Sequence, residues 1–210
     1  MSNKFTIRQI TESDTNEVLE VFKPYVINTA ITLEYDVPTT EEFLHRIKTN
    51  TVDYPWLICL YNNKIVGYAY ASKRGNREGL KWSTESTIYF AGNFHGKGLG
   101  RVLYDALFNV LQLQGYFNVY AGVILPNEKS EALHKALGFS EVGGFSKVGY
   151  KLGKWRDCKW FQLHLSKHIV NPAKPKTLQE VKDSEAFKAI IATANSRSRN
   201  INSQNLKLIQ

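Results

Sequence analysis

Three groups of residues in this chain have types and spacings that can do chemistry. The first is His95-Gly96-Lys97-Gly98-Leu99-Gly100, a glycine-rich turn between a strand-like and a helix-like segment. Such a turn presents consecutive backbone N–H groups at the positive end of a helix dipole, which suits phosphate or pyrophosphate. Glycine lets the backbone approach the anion closely and take up unusual dihedrals, and Lys97 adds a cation at the rim. The second is Glu85, a carboxylate in an otherwise hydroxyl-rich strand start, where packing gives it no reason to be. It reads equally as a base for a protonated nucleophile and as a salt-bridge partner of Lys73, Arg74 or Arg77. The third is Asn127 followed by His134 on one short helix-like stretch. Asn127 is first an N-cap. A lone helix histidine is more often structural, although imidazole titrates near neutrality and can donate or accept a proton.

The glycine spacing narrows the anion. Gly96-x-Gly98-x-Gly100 is not Gly-x-Gly-x-x-Gly, and no first βα unit surrounds it, so a dinucleotide site is disfavoured. The Gly-Lys-Ser/Thr ending of a nucleotide-triphosphate loop is also missing. Three glycines before a helix serve as a packing turn about as often as a binding loop, so the surrounding elements must decide.

Those elements follow from hydrophobic period. Phe5–Ile10 alternates as a strand, and Ser13 or Thr11 caps a helix carrying Val18, Leu19, Val21 and Phe22. Pro24 is expected to open a second short helical stretch through Ile27. Thr39 and Glu42 form a capping box before a helix with Phe43 and Ile47 inward and His45 outward. Residues 56–60 and 65–70 form a hairpin across Asn62-Asn63, and 72–81 is a basic, glycine-containing loop before a strand over 84–90. Apolar positions 99, 102, 103, 106, 107, 110 and 111 make a helical stripe that stops at Gly115. A strand over 117–124, a helix capped by Asn127 and ended by Gly138, and strands near 139–143 and 157–165 complete an α/β body with a mixed sheet.

The body is expected to span residues 1–168. After it come Pro172 and Pro175, then a basic extension over 169–210 with a helix at 178–194 capped by Thr177 and Glu180, and a disordered Ser/Asn/Arg-rich end. Of the net charge of +8, half lies from Asn171 onward, with seven Lys/Arg against three Asp/Glu. The body is therefore only mildly basic, which admits a polyanionic cofactor and does not call for nucleic acid. At 43% hydrophobic and 12% aromatic residues, the chain can bury a core. No apolar run reaches the ~18 residues of a membrane span, and the first residues lack a secretory h-region. Cys59 and Cys158 read as core residues rather than a disulfide, which points to a reducing, cytoplasmic setting. No metal cluster is expected.

Beyond the loop, several ordered blocks carry a resemblance. Residues 95–100 resemble the Arg/Gln-x-x-Gly-x-Gly/Ala signature of the GNAT acyltransferase superfamily, with His95 in the Arg/Gln place. The stretch Trp82–Phe90, Leu125-Pro126-Asn127, Leu133–Phe139 and Gly149–Asp157 are similar to its phosphinothricin and L-amino acid N-acetyltransferase branch. The similarity covers about residues 4–166. It implies a GNAT fold and transfer of acetyl from acetyl-CoA to a small amine, without a metal, in a homodimer. It further implies that Glu85 faces the acceptor amine, and that His134 stands where many members carry a tyrosine that protonates the departing thiolate. Cofactor contacts are implied for the backbones of Ile88, Tyr89 and Phe90, for His95 through Arg101, and for Asn127 and Ser130. On the acceptor side the resemblance implies Leu33 and Arg77, the latter as partner of a substrate carboxylate, while Lys73 and Arg74 read as solvated loop charges. Leu80 and Leu33 replace aromatic residues of the herbicide-acetylating members, which weakens any expectation that phosphinothricin itself is the acceptor. Alternatives in view are a protein or polyamine N-acetyltransferase and a non-catalytic acyl-CoA-binding module.

Overall fold

A computed structural model describes residues 5–201 of the chain. Its seven strands are β1 (Phe5–Gln9), β2 (Trp56–Tyr61), β3 (Lys64–Lys73), β4 (Ser83–Phe90), β5 (Asn118–Ile124), β6 (Ser140–Lys151) and β7 (Lys154–His164). They form one mixed sheet in the order β1-β2-β3-β4-β5-β7-β6, antiparallel except where β4 meets β5. The helices are α1 (Thr15–Asn28), α2 (Thr40–Asp53), α3 (Leu99–Gln114), α4 (Glu128–Ala136), α5 (Leu178–Val181) and α6 (Glu185–Asn200).

Helices cover the sheet on both faces because each carries one apolar stripe. On one face Val18, Phe22 and Val26 of α1 and Phe43 and Ile47 of α2 pack on Trp56, Ile58 and Tyr68. On the other, Leu99, Leu103, Leu107 and Leu111 of α3 pack on Phe5, Leu57, Val119 and Phe161.

Local signals in the sequence act where expected. Glu42 N–H donates to Thr39 Oγ1 (3.2 Å), and Thr39 N–H donates back to Glu42 Oε2 (2.8 Å). Asn127 caps α4 by accepting from Ser130 N–H at 3.3 Å. Pro24, by contrast, opens no second helix; it lies inside a continuous α1. The buried stripe from Val18 to Val26 runs through it, and packing on the sheet outweighs the one backbone hydrogen bond that proline removes.

The last two strands are also longer than their apolar segments suggest. They form a hairpin closed at Leu152-Gly153, whose positive φ values of 52° and 73° fit a tight two-residue turn. Its outer part carries exposed Phe145, Leu152 and Trp155, so the hydrophobic period did not mark it as a strand.

The C-terminal segment contains two helices in place of one at 178–194. Thr177 and Glu180 form the expected capping box, but Ser184 Oγ then accepts from Phe187 N–H (3.2 Å) and restarts the helix as α6. That helix runs to Asn200, past the point where the composition suggested disorder; residues 202–210 lie outside the described part. The composition is polar because α6 is amphipathic: Phe187, Ala194 and Ser198 are buried, Ile190, Ile191 and Asn195 are partly buried on the same side, and the other face is exposed. The segment before it is tied down as well. Trp82 Nε1–H donates to Ala173 O (2.8 Å), and Gln114 Nε2 donates to Lys176 O (2.9 Å).

Candidate active site

The defining feature is a strand pair that comes apart. β4 and β5 are paired only over Ser83–Glu85 and Asn118–Tyr120. Beyond that point β4 stays paired with β3 as far as Gly67↔Phe90, and β5 stays paired with β7 as far as Ile124↔Cys158. The two strands diverge while each keeps its outer neighbour, and the inner edge of β4 from Ser86 to Phe90 faces a wedge. Glu85 sits at its apex.

Past the wide end lies the glycine loop. Gly96 and Gly98 have φ of +72° and +79°, a left-handed conformation that side-chain-bearing residues resist. Among the described residues, none of the backbone N–H groups from Gly96 to Arg101 donates to a protein acceptor; the first bond of α3 is Val102 N–H to Gly98 O. Free amides at a helix N-terminus in glycine-permitted geometry fit a pyrophosphate group. Gly100 has no positive φ, and a Cβ there would make ordinary contact with Leu133 Cδ2 at 3.4 Å, so packing does not demand a glycine at this position.

His95 turns away from those amides. Its Nε2 lies 2.9 Å from Phe90 O and 2.7 Å from the Tyr25 hydroxyl, which itself donates to Phe90 O. Since a carbonyl only accepts, Nε2 carries the proton. His95 therefore ties the loop to the end of β4 and to α1. Arg101 donates to Ala136 O (2.9 Å) and braces the C-terminal end of α4. Ile88 packs beside Gly100 and Leu133. Tyr89 packs among Phe22, Tyr25 and Tyr68, and burial pushes its hydroxyl far above the usual phenol range. Phe90 lies across Gly67, where any Cβ would collide with its ring. Lys97 is half-buried at the loop.

Glu85 accepts a hydrogen bond from Arg74 Nη1 at 2.7 Å. Of the partners considered from sequence, Arg74 is the one chosen, and it is no free loop charge. Its guanidinium lies 4.5 Å from the Tyr120 ring centroid and 4.2 Å from that of Trp160. Trp160 reaches this position across β5 because Gly122 has no side chain; a Cβ there would lie 3.3 Å from the indole. Arg77 is exposed in the loop before β4, and no hydrogen bond or ion pair joins its side chain to Glu85. Leu33 packs on the hairpin: a Cβ on Gly149 would lie 2.5 Å from Leu33 Cδ1. Nearby, Lys151 Nζ donates to Thr32 O (2.9 Å), fixing the α1–α2 connection against β6.

His134 is 2% exposed and stands apart from this group. Its Nδ1 lies 2.7 Å from Ser130 O, so that nitrogen bears the proton, and Ser130 Oγ is 3.3 Å away. The ring is stacked on Phe161 and edge-on to Phe139, with Tyr104 beside it, and Nε2 has no partner among the described residues. Burial lowers its pKa, partly offset by the bond to Ser130, so the imidazole is neutral. Sequence reasoning named Arg74 only as one of three possible salt-bridge partners of Glu85, took Trp160 for a core or interface aromatic and did not single out Tyr120; the three approach one another from the end of β3, β7 and β5. No hydrogen bond or ion pair joins His134 to Glu85 or Arg74 among the described residues.

The sheet thus opens between a parallel strand pair beside a loop of free amides, with a carboxylate at the apex. Comparison with known proteins gives the class: residues 7–160 match the acetyltransferase (GNAT) domain, and the chain belongs to that family. It is 30% identical over 175 residues to phosphinothricin N-acetyltransferase of Streptomyces viridochromogenes, covering 83% of this chain and 93% of that protein. It is also 30% identical to the L-methionine sulfoximine/L-methionine sulfone acetyltransferase of Salmonella typhimurium, over 80% of this chain and 99% of that protein. Among solved structures, a GNAT superfamily phosphinothricin acetyltransferase from Sinorhizobium meliloti, in complex with acetyl-CoA, superposes with a TM-score of 0.76 at 29% identity. That match covers 85% of this chain and 99% of the other.

Proposed function

We propose that this protein transfers acetyl from acetyl-CoA to the α-amino group of a small amino acid or a close analogue. The observation that carries this reading is the position of Glu85 where the β4–β5 pairing ends, joined to Arg74, on the strand that leads to the free-amide loop. The relatives named for phosphinothricin and methionine sulfoximine support an acceptor of amino-acid type.

In this reading acetyl-CoA supplies an activated thioester. The amides of Gly96 to Arg101, with Lys97 at the rim, hold its pyrophosphate. The edge of β4 at Ile88, Tyr89 and Phe90, which has no strand partner in β5 and whose Phe90 carbonyl is taken by Tyr25 and His95, receives the pantetheine arm and the thioester carbonyl, and Asn127 and Ser130 flank it from α4. Glu85 takes a proton from the acceptor ammonium, directly or through water, because an α-amine is largely protonated at neutral pH. His134, neutral with Nδ1–H committed to Ser130, offers a bare Nε2 lone pair. With its Nδ1–H directed to Ser130 O it has no donor aimed at the thiolate, which takes up the second proton that the acceptor nitrogen loses on amide formation; the ring seats α4 against β7. The leucines at 33 and 80, where the herbicide-acetylating members have aromatic residues, weigh against phosphinothricin itself as the acceptor. The exposed apolar side chains of the β6–β7 hairpin suit pairing with a second copy of the chain, and light scattering would report a monomer if that is wrong.

The deciding experiment is an acceptor screen followed by product mass. Stoichiometric CoA release and one N-acetylated amino acid are expected. Absence of release with every standard amino acid, methionine sulfoximine and phosphinothricin would overturn the proposal, and turnover of polyamines or peptides alone would replace it.

A further inference from the structure

We infer that Arg74 recognises the acceptor's carboxylate, and that with Glu85 it forms a site for an amino-acid zwitterion walled by Tyr120 and Trp160. The inference rests on the acetyltransfer reading above and names the residue that selects the acceptor.

The Arg74–Glu85 pair is half open. The side chains are 29% and 35% exposed, and one bond joins them, from Nη1 to Oε1. A guanidinium has five N–H donors and a carboxylate has two oxygens. Among the described residues Arg74 directs no other donor to a protein acceptor, and Glu85 Oε2 accepts from none. The free half of the pair thus displays donors beside an acceptor oxygen. An α-amino acid presents the complement: an ammonium that donates to Oε2 next to a carboxylate that accepts from the open edge of the guanidinium.

The two rings fix the charge in place. Stacking between Tyr120 and Trp160, at 4.5 and 4.2 Å, holds the guanidinium plane without using its N–H groups. An arginine so held loses little further freedom when a carboxylate arrives. The rings also leave an apolar wall beside the acceptor's α-carbon. Arg77 is exposed, and among the described residues its side chain has no such stacking and no bond to Glu85.

The test compares an accepted amino acid with its carboxamide. Both keep the amine; the amide lacks the negative charge. For each protein the measured quantity is the ratio of kcat/KM for acid over amide, with calorimetric affinity as a second reading where the amide turns over slowly. Arg74→Gln should lower that ratio at least tenfold, and Arg74→Lys, which keeps the charge, should restore much of it. An unchanged ratio in Arg74→Gln would overturn the inference, as would equal losses in the Gln and Lys variants, which would mark a guanidinium needed only for packing. A tenfold fall in Arg77→Gln with none in Arg74→Gln would transfer the role to Arg77. If the unaltered protein acetylates no amino acid, the broader proposal has failed, and that outcome is visible before any variant is made.

Discussion

Asn195 of α6 exchanges two hydrogen bonds with the backbone of Ile7 on the edge strand β1: Ile7 N–H donates to Asn195 Oδ1 at 2.6 Å, and Asn195 Nδ2 donates to Ile7 O at 2.9 Å. One side chain thereby satisfies an edge-strand residue as a neighbouring strand would. Three residues on, Ser198 Oγ donates to Phe5 O (3.2 Å). An open sheet edge is a liability for aggregation, and here the last helix covers it.

Asn195→Ala leaves a part-buried donor and acceptor on β1 unpaired, so a loss of about 1–3 kcal/mol in urea or thermal unfolding is expected. Removing residues 183–210 should cost more, since Phe187 and Ala194 leave the core with it. An unaltered unfolding midpoint in the truncated protein would show that the helix only rests on the surface.

Glu85→Gln keeps the shape of the side chain and removes its basicity. A fall in kcat of roughly 100- to 10,000-fold is expected, with the KM for acetyl-CoA nearly unmoved. Steady-state kinetics with both substrates varied separates this from a structural role, in which both constants worsen together.

At the loop, Gly98→Ala asks an alanine to hold φ near +79°. The conformation costs an L-residue about 1–2 kcal/mol. The added Cβ meets nothing nearer than Ile201 at 3.8 Å, so the cost is conformational rather than steric. The altered backbone should redirect the free amides and raise the KM for acetyl-CoA severalfold, while the melting temperature falls by only a few degrees. A normal KM would mean that those amides do not bind the phosphates.

For His134 the sign of the pH effect follows from its burial. Its folded pKa is depressed below the unfolded value, so near and below that value the unfolded chain binds more protons. Stability is therefore fully present above about pH 6.5 and declines as the pH falls below it. Chemical denaturation at pH 7.5 and pH 5.5 should show this loss in the unaltered protein and a smaller one in His134→Phe. Equal losses would assign the acid sensitivity to other groups.

How much could be read in advance depends on the range of the interaction. Capping by Thr39, Asn127 and Thr177, the stop at Gly115, the glycine loop and the amphipathic stripe of α3 are set within a few residues, and the amino-acid order alone determines them. For Glu85 the order left two readings level, a base or a salt-bridge partner, and did not say which of Lys73, Arg74 and Arg77 it would meet. The continuation of α1 through Pro24 and the outer half of the β6–β7 hairpin escaped that reading, because partners distant in sequence override the local preference. Only the tertiary structure decided that β4 and β5 part after Glu85, that His95 turns back to Phe90 and Tyr25, and that the polar last helix caps β1. It also brought Arg74 onto Glu85 between Tyr120 and Trp160, residues that separate strands carry to one point. Each of these depends on how separate elements come together, and such contacts exist only once the strands have assembled into one sheet and the helices have packed on it.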